Sequence, residues 1–150
     1  MKKFKFSLET VLDYKNQALD ALRAEHGAIL AQVRAQEQVI ENLETEHRQV
    51  DEEFSQRKLE GLTVLDALNY EQYLRSLERE IHGEYFKLAK LRKKEEAKRA
   101  EVVEARKETA TIEKLKEHKL EDYRKAEQKD EEQRIEEFVS TTRAMAAMGI

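Results

Sequence analysis

The stretch KLEGLTVLD, residues 58–66, contains the clearest break in a chain that otherwise reads as helical. Gly61 can adopt the left-handed backbone conformation that ends an α-helix. Thr63 follows two residues later, where its hydroxyl can cap the first turn of a new helix. The stretch therefore predicts two helices joined by a turn of only a few residues.

The composition indicates long helices with little interior. Charged residues make up 40% of the 150 residues and hydrophobic residues 39%, with no proline and only four glycines. Such a mixture is typical of coiled coils and long helices. Because so little apolar surface is available, the predicted core is a thin seam between helices.

A heptad pattern covers most of the segment before the break. Alternating steps of three and four residues from Leu8 to Phe54 meet apolar side chains at most positions, which is strong support for a coiled-coil helix. The polar exceptions are Lys15, His26, Gln36 and His47. After the break the same spacing continues through Tyr70, Leu74, Leu77, Ile81, Glu84, Leu88 and Leu91, and the apolar pattern thins from Arg92 onward.

These features predict an all-α fold in which two long helices form an antiparallel coiled-coil hairpin. We expect one coiled-coil domain over residues 1–150, with helices at about 7–59 and 64–146 and a turn at about 60–63. Residues i and about 122 − i should then lie opposite each other. The second helix is longer, so its last two dozen residues should have no partner in the first helix.

Several function classes are disfavoured by the residues. The net charge of −4, with both signs interspersed, gives no nucleic-acid footprint, and no window is apolar enough to span a bilayer. No signal-peptide pattern is present, and the absence of cysteine fits a reducing compartment, so a cytoplasmic location is expected. A two-helix rod offers no concave pocket and no glycine-rich phosphate loop, so neither an enzyme nor a cofactor is expected.

The four histidines do not form a metal-binding pattern. His26 and His47 share one heptad position but lie about 30 Å apart along a helix, so they cannot bind the same metal. Polar residues in a coiled-coil seam reduce stability and fix the register. We therefore interpret both histidines as register-setting residues.

Aromatic residues gather in two regions of the predicted hairpin. Five lie near the turn and five toward the open end, whereas the middle is aliphatic. Tyr70 falls on the seam and is expected to help fix the turn. Tyr73 precedes the seam residue Leu74 and should be partly exposed, so interface and packing roles both stay open for it.

Three stretches resemble the flagellar export protein family FliJ. They are FKFSLETVLDYK at residues 4–15, LNYEQYLRSLEREI at 68–81 and EEQRIEEFVSTTRA at 131–144. The resemblance covers essentially the whole chain. It implies a fold similar to the coiled-coil part of the ATP synthase gamma subunit.

The resemblance also implies a function. Family members are cytoplasmic, non-enzymatic stalk proteins of flagellar type III export, associated with the inner membrane only through their partners. Those partners are the export ATPase hexamer, the cytoplasmic domain of the export gate, and export chaperones. The stalk helps to couple ATP hydrolysis and proton-motive force to export.

Site residues follow from the same resemblance. It implies gate binding by Leu43, Val50, Tyr73 and Leu77. For the ATPase it points to the open end of the hairpin, with Phe4, Phe6, Ile135 and Phe138. Two other functions stay open: the stalk of a virulence-type injectisome, and a self-associating scaffold with one continuous helix through Gly61.

Overall fold

The computed structural model describes residues 2–149 and contains two α-helices in that range. Helix α1 is Glu9–Glu60, with 52 residues, and helix α2 is Val64–Ala147, with 84 residues. The helices pack against each other in antiparallel directions, which confirms the predicted all-α hairpin. Met1 and Ile150, the ends of the expected domain, lie outside the described residues.

The turn is built by the residues that the sequence pattern singles out. Gly61 has a φ of 105°, a value that side chains other than glycine rarely tolerate. Its N–H donates to the carbonyl of Arg57 at 3.0 Å, closing the last turn of α1. The Thr63 hydroxyl accepts the N–H of Asp66 at 3.1 Å and so caps α2. A continuous helix through Gly61 is therefore not formed.

The described chain divides into two compact units. We call Asp20–Val103 the turn unit, and residues up to Leu19 together with those from Glu104 onward the terminal unit. In the turn unit, Val33, Ile40 and Leu88 form a buried cluster that Leu91 joins. Every seam position predicted between Leu8 and Phe54 is buried or half-buried, so the heptad pattern is confirmed.

In the terminal unit the seam continues with fewer apolar residues. Leu12, Leu19 and Thr109 are buried, and the Thr109 hydroxyl donates to the carbonyl of Ala105 on its own helix. From residue 124 to residue 149 all side chains are exposed except that of Asp130, which is half-buried. The end of α2 therefore lacks a helix partner within the described chain, as predicted from the greater length of the second helix.

Each of the four polar seam residues of α1 contacts a glutamate of α2. The pairs are Lys15 with Glu108 at 2.9 Å, His26 with Glu95 at 2.9 Å, Gln36 with Glu84 through its carboxylate and its carbonyl, and His47 with Glu78 at 3.1 Å. The two residue numbers of each pair add to between 120 and 125, close to the predicted 122. Polar groups in the seam are thus satisfied across the helix pair.

The most buried of these pairs also includes an arginine. Glu95 is only 8% exposed, and Arg99 donates to both of its carboxylate oxygens at 2.7 and 2.9 Å. The hydrogen bonds from Arg99, and then the contact with His26, hold the pKa of Glu95 below its ordinary value. Glu95 is therefore ionised in the folded protein at neutral pH.

Replacing Glu95 with glutamine is expected to lower stability at pH 7 and to flatten the acid dependence of stability. Because the folded pKa is depressed, the folded protein binds fewer protons here than the unfolded chain does. The stabilisation is present above the unfolded pKa of about 4.3 and is lost as the pH falls through the folded pKa. Urea unfolding followed by circular dichroism at about pH 7, 5, 4 and 3 measures both effects.

The matched control for this experiment is Glu113→Gln, at an exposed position of α2. It should leave both the midpoint at pH 7 and the acid dependence unchanged. An acid dependence in Glu95→Gln as steep as that of the wild type would contradict the assignment.

Candidate docking surfaces

Exposed large apolar side chains fall mainly into two sets. The turn set consists of Leu59, Val64, Leu65, Leu68, Tyr73, Tyr85 and Phe86, and it belongs to the turn unit. The end set consists of Ile135, Phe138, Val139, Met145 and Met148, and it belongs to the terminal unit. Contiguous exposed apolar residues mark interaction surfaces, particularly in a chain this rich in charge.

Tyr70 fixes the helix pair next to the turn. Its ring stacks on that of Phe54, with centroids 5.0 Å apart and planes 6° from parallel. Its hydroxyl donates to Glu53 at 3.1 Å and accepts from Arg57 at 3.3 Å. The bond to Tyr70 raises the pKa of Arg57. Tyr70 is half-buried and fully engaged inside the chain.

Tyr73 presents its ring on the surface and its hydroxyl to α1. It is 45% exposed, and its hydroxyl donates to the carboxylate of Glu46. That hydrogen bond raises the pKa of Tyr73, so the phenol stays neutral well above neutral pH. A shallow groove beside the ring is lined in part by Val50, Asn69 and Tyr70. The ring is therefore held in a fixed orientation at the edge of a partly apolar groove.

The side of the hairpin that carries Tyr73 includes a row of uncharged positions. These positions recur every seven residues along each helix: Asn42, Gln49 and Gln56 on α1, and Asn69, Ser76 and Gly83 on α2. The charged residues Glu53 and Arg57 in the nearby groove are bonded to Tyr70. The exposed ring of Tyr73 thus has both uncharged and charged neighbours, the charged ones including Glu46, Asp66 and Glu80.

Tyr85 is the near-equivalent of Tyr73 at a different heptad position. It is 47% exposed, and its hydroxyl donates to Glu44 at 2.5 Å, which raises the pKa of Tyr85. Next to it, Phe86 is 62% exposed, with the Lys90 ammonium 4.6 Å from its ring centre. The groove at Tyr85 is lined by Glu44, His47, Glu78, Ile81 and His82.

The N-terminal aromatics and the end set occupy different parts of the terminal unit. Phe4 and Phe6 are half-buried, and the Phe4 ring lies 5.6 Å from that of Tyr123. Ile135 and Phe138 are 57% and 72% exposed. Ile135 lies twelve residues beyond Tyr123, which is about 18 Å along a helix. The structure therefore places Phe4 on α2 well before the exposed end set begins.

Comparison with known proteins identifies the family. The family model described as "Flagellar FliJ protein" matches residues 4–146, nearly the whole chain. The chain belongs to the FliJ family. No curated protein and no solved structure matches it.

Membership in the FliJ family gives the chain a role connected with flagellar type III protein export, as part of a family of non-enzymatic export components. The matched family model is the flagellar one, which favours a flagellar role over the injectisome stalk. Among residues 2–149, no helix has the length and apolar character to cross a membrane, and no three potential ligands are grouped to hold a metal ion.

The four residues that the FliJ resemblance links to the export gate differ in exposure. Tyr73 is on the surface, Leu43 and Val50 are half-buried, and Leu77 is only 3% exposed. The burial of Leu77 follows from its heptad position, which the sequence pattern already assigns to the seam. The sequence pattern does not single out four exposed apolar residues next to the turn, which are Leu59, Val64, Leu65 and Leu68. They lie just outside the seam spacing, and that position is the sequence signal for their exposure.

Alanine substitutions at Leu77 and Tyr73 are expected to affect stability very differently. Leu77→Ala leaves a cavity in the seam and should lower the free energy of unfolding by about 2–4 kcal/mol. Tyr73→Ala removes an exposed ring and one hydrogen bond and should cost less than about 1 kcal/mol. Urea unfolding at neutral pH measures both changes, and equal losses would contradict the burial assignment.

Proposed function

We propose that this member of the FliJ family is a non-enzymatic stalk of the flagellar export apparatus. It binds the export ATPase hexamer through the end of α2 and the cytoplasmic domain of the export gate through the surface around Tyr73. It also escorts export chaperones, and it acts in the cytoplasm at the inner face of the membrane, held there by its partners. By joining ATPase and gate it helps to couple ATP hydrolysis and proton-motive force to export.

The observation that carries this proposal is the division of exposed apolar surface into two sets in a chain of this family. A linking protein needs two docking surfaces that different partners can occupy at the same time. Tyr73 and Phe138 are separated by 65 residues of one uninterrupted helix, Val64–Ala147. The many charged residues that lie outside the two sets keep the remaining surface solvated and discourage permanent association.

The surface around Tyr73 suits a specific protein partner. An anchored aromatic ring buries a large area on binding and loses little rotamer freedom. Val50 and the amide of Asn69 supply apolar contact and hydrogen-bonding groups in the groove beside the ring. Leu77 supports this surface from within the seam by holding α2 in place.

The end of α2 suits a partner that encloses a helix. From residue 131 to residue 148 the helix carries apolar side chains at positions 135, 138, 139, 145 and 148. No other segment of the described chain covers them, so their apolar surface faces solvent. Burying an exposed phenylalanine and isoleucine in a partner gives a large favourable contribution from the hydrophobic effect.

Tyr73→Ala is expected to weaken binding of the isolated gate domain at least tenfold, which corresponds to about 1.4 kcal/mol. Isothermal titration calorimetry with the purified gate domain measures the affinity. Tyr14→Ala is the control, since it removes a tyrosine that is 68% exposed and belongs to neither the turn set nor the end set. If both substitutions weaken binding equally, or neither does, the gate surface is wrongly assigned.

Ile135→Ala combined with Phe138→Ala is expected to reduce binding to the purified export ATPase at least tenfold while leaving gate affinity unchanged. Both side chains are exposed, so circular dichroism should show unchanged helicity. Phe86→Ala, which removes another exposed phenylalanine, serves as the control and should bind the ATPase normally. Equal loss of ATPase and gate binding in the double variant would contradict the assignment of separate surfaces.

A further inference from the structure

A short non-helical segment precedes α1 and lies on α2. Residues 2–7, which we call the strap, have no regular secondary structure, and α1 begins only at Glu9. The Phe4 ring contacts that of Tyr123, and the Tyr123 hydroxyl donates to the carbonyl of Lys2 at 2.5 Å. The strap therefore covers α2 at the point where α1 no longer does.

Few interactions hold the strap in place. Phe4 and Phe6 are half-buried, and the strap's lysines are exposed. One aromatic contact and one hydrogen bond to Tyr123 oppose the loss of backbone freedom in six residues outside any helix. Segments of this kind open at a much lower free energy than the helices beside them. The closed position is thus only slightly favoured.

The surface beneath the strap belongs to the seam face of α2. Leu120 and Tyr123 are half-buried there and continue the seam beyond Lys116, whose ammonium pairs with Glu9 in the first turn of α1 at 2.8 Å. Without the strap, Tyr123 would lose the contacts described above. The strap therefore extends the cover that α1 provides elsewhere.

Leu120 and two residues of the end set, Phe138 and Met145, lie on one face of α2. Leu120 and Phe138 are eighteen residues apart, which is five full turns of an α-helix, so their side chains point in the same direction. Met145 follows Phe138 by seven residues and lies close to the same line. A partner that grips Phe138 and extends along this face toward the turn reaches Leu120 and Tyr123, where it meets the strap.

We propose that the strap is a removable cover that regulates docking at the end of α2. This inference rests on the proposed function, in which that end binds the export ATPase. In the free protein the strap occupies the seam face at Tyr123. When the ATPase docks, the strap leaves, and Leu120 and Tyr123 join Phe138 in one continuous contact surface.

The absence of cysteine from the chain permits a direct test. In the double variant Phe4→Cys with Tyr123→Cys, a short thiol-specific cross-linker that dithiothreitol can release locks the strap onto α2. Affinity for the purified export ATPase is measured for the locked protein and for the same protein after release, so that any effect of losing Tyr123 cancels. The locked form is expected to bind at least tenfold more weakly than the released form.

Two controls complete the design. The single variant Tyr123→Cys, treated with the same reagent, should show no change on release. Deleting residues 2–7 from the otherwise wild-type chain should raise the affinity or the association rate. Equal affinity of the locked and released forms, with normal binding by the wild type, overturns the strap proposal alone. Failure of the wild type to bind the ATPase overturns the proposed function and, with it, the strap proposal.

Discussion

The contact of His26 with Glu95 across the seam is the constraint on which the helix pairing most depends. A slip of one heptad would place Glu95 against Val33 or Leu19 and His26 against Leu88 or Val102. A carboxylate that is only 8% exposed would then face aliphatic side chains, at a large desolvation cost. The same slip would move Glu84 from Gln36 to Leu43 or Ile29. Each polar pair thus destabilises shifted registers in which the apolar residues alone would still pack.

A seam this thin has a consequence for the surface. A two-helix pair buries only one stripe of each helix, so large apolar residues outside that stripe stay exposed. The seam buries Leu77 and Leu88, whereas Tyr73 and Phe86, which lie four and two residues before them, remain on the surface. Aromatic rings outside the buried stripe add little to the helix pairing, so the fold does not require them. Their concentration in two sets is therefore better explained by partners than by packing.

The sequence was sufficient to predict the fold class, the turn and the α1 seam, because heptad spacing and a glycine with positive φ act locally. It was less informative for α2 beyond Leu91. There the seam is occupied by Glu95, Lys98 and Thr109. Glu95 and Lys98 bond to His26 and Glu25 across the pair, and no local pattern reveals those partners. The candidate sites show the same limit. Spacing predicts that Tyr73 is partly exposed and that Leu77 lies in the seam, whereas the partner proposed for Tyr73 rests on the family resemblance alone. The contact of Phe4 with Tyr123 joins residues 119 positions apart in a segment without periodicity, so no pattern could predict it.

The polar pairs hold α1 on α2 strongly, whereas the contacts of the strap hold it on α2 weakly. Where α1 and α2 stay in register, the seam uses hydrogen bonds to glutamate side chains, and the most buried of these, at Glu95, loses much when broken. Where α2 is proposed to accept the export ATPase, the cover is a segment with two half-buried phenylalanines and one hydroxyl hydrogen bond, which loses less when it opens. The proposed linking function requires both a strong and a weak contact. The paired helices must not slide when a partner pulls on them, and the end that receives a partner must open without disturbing that pairing. Because Tyr123 lies beyond Lys116, whose ion pair with Glu9 joins α2 to the first turn of α1, the strap can leave without breaking any of the polar pairs that fix the register.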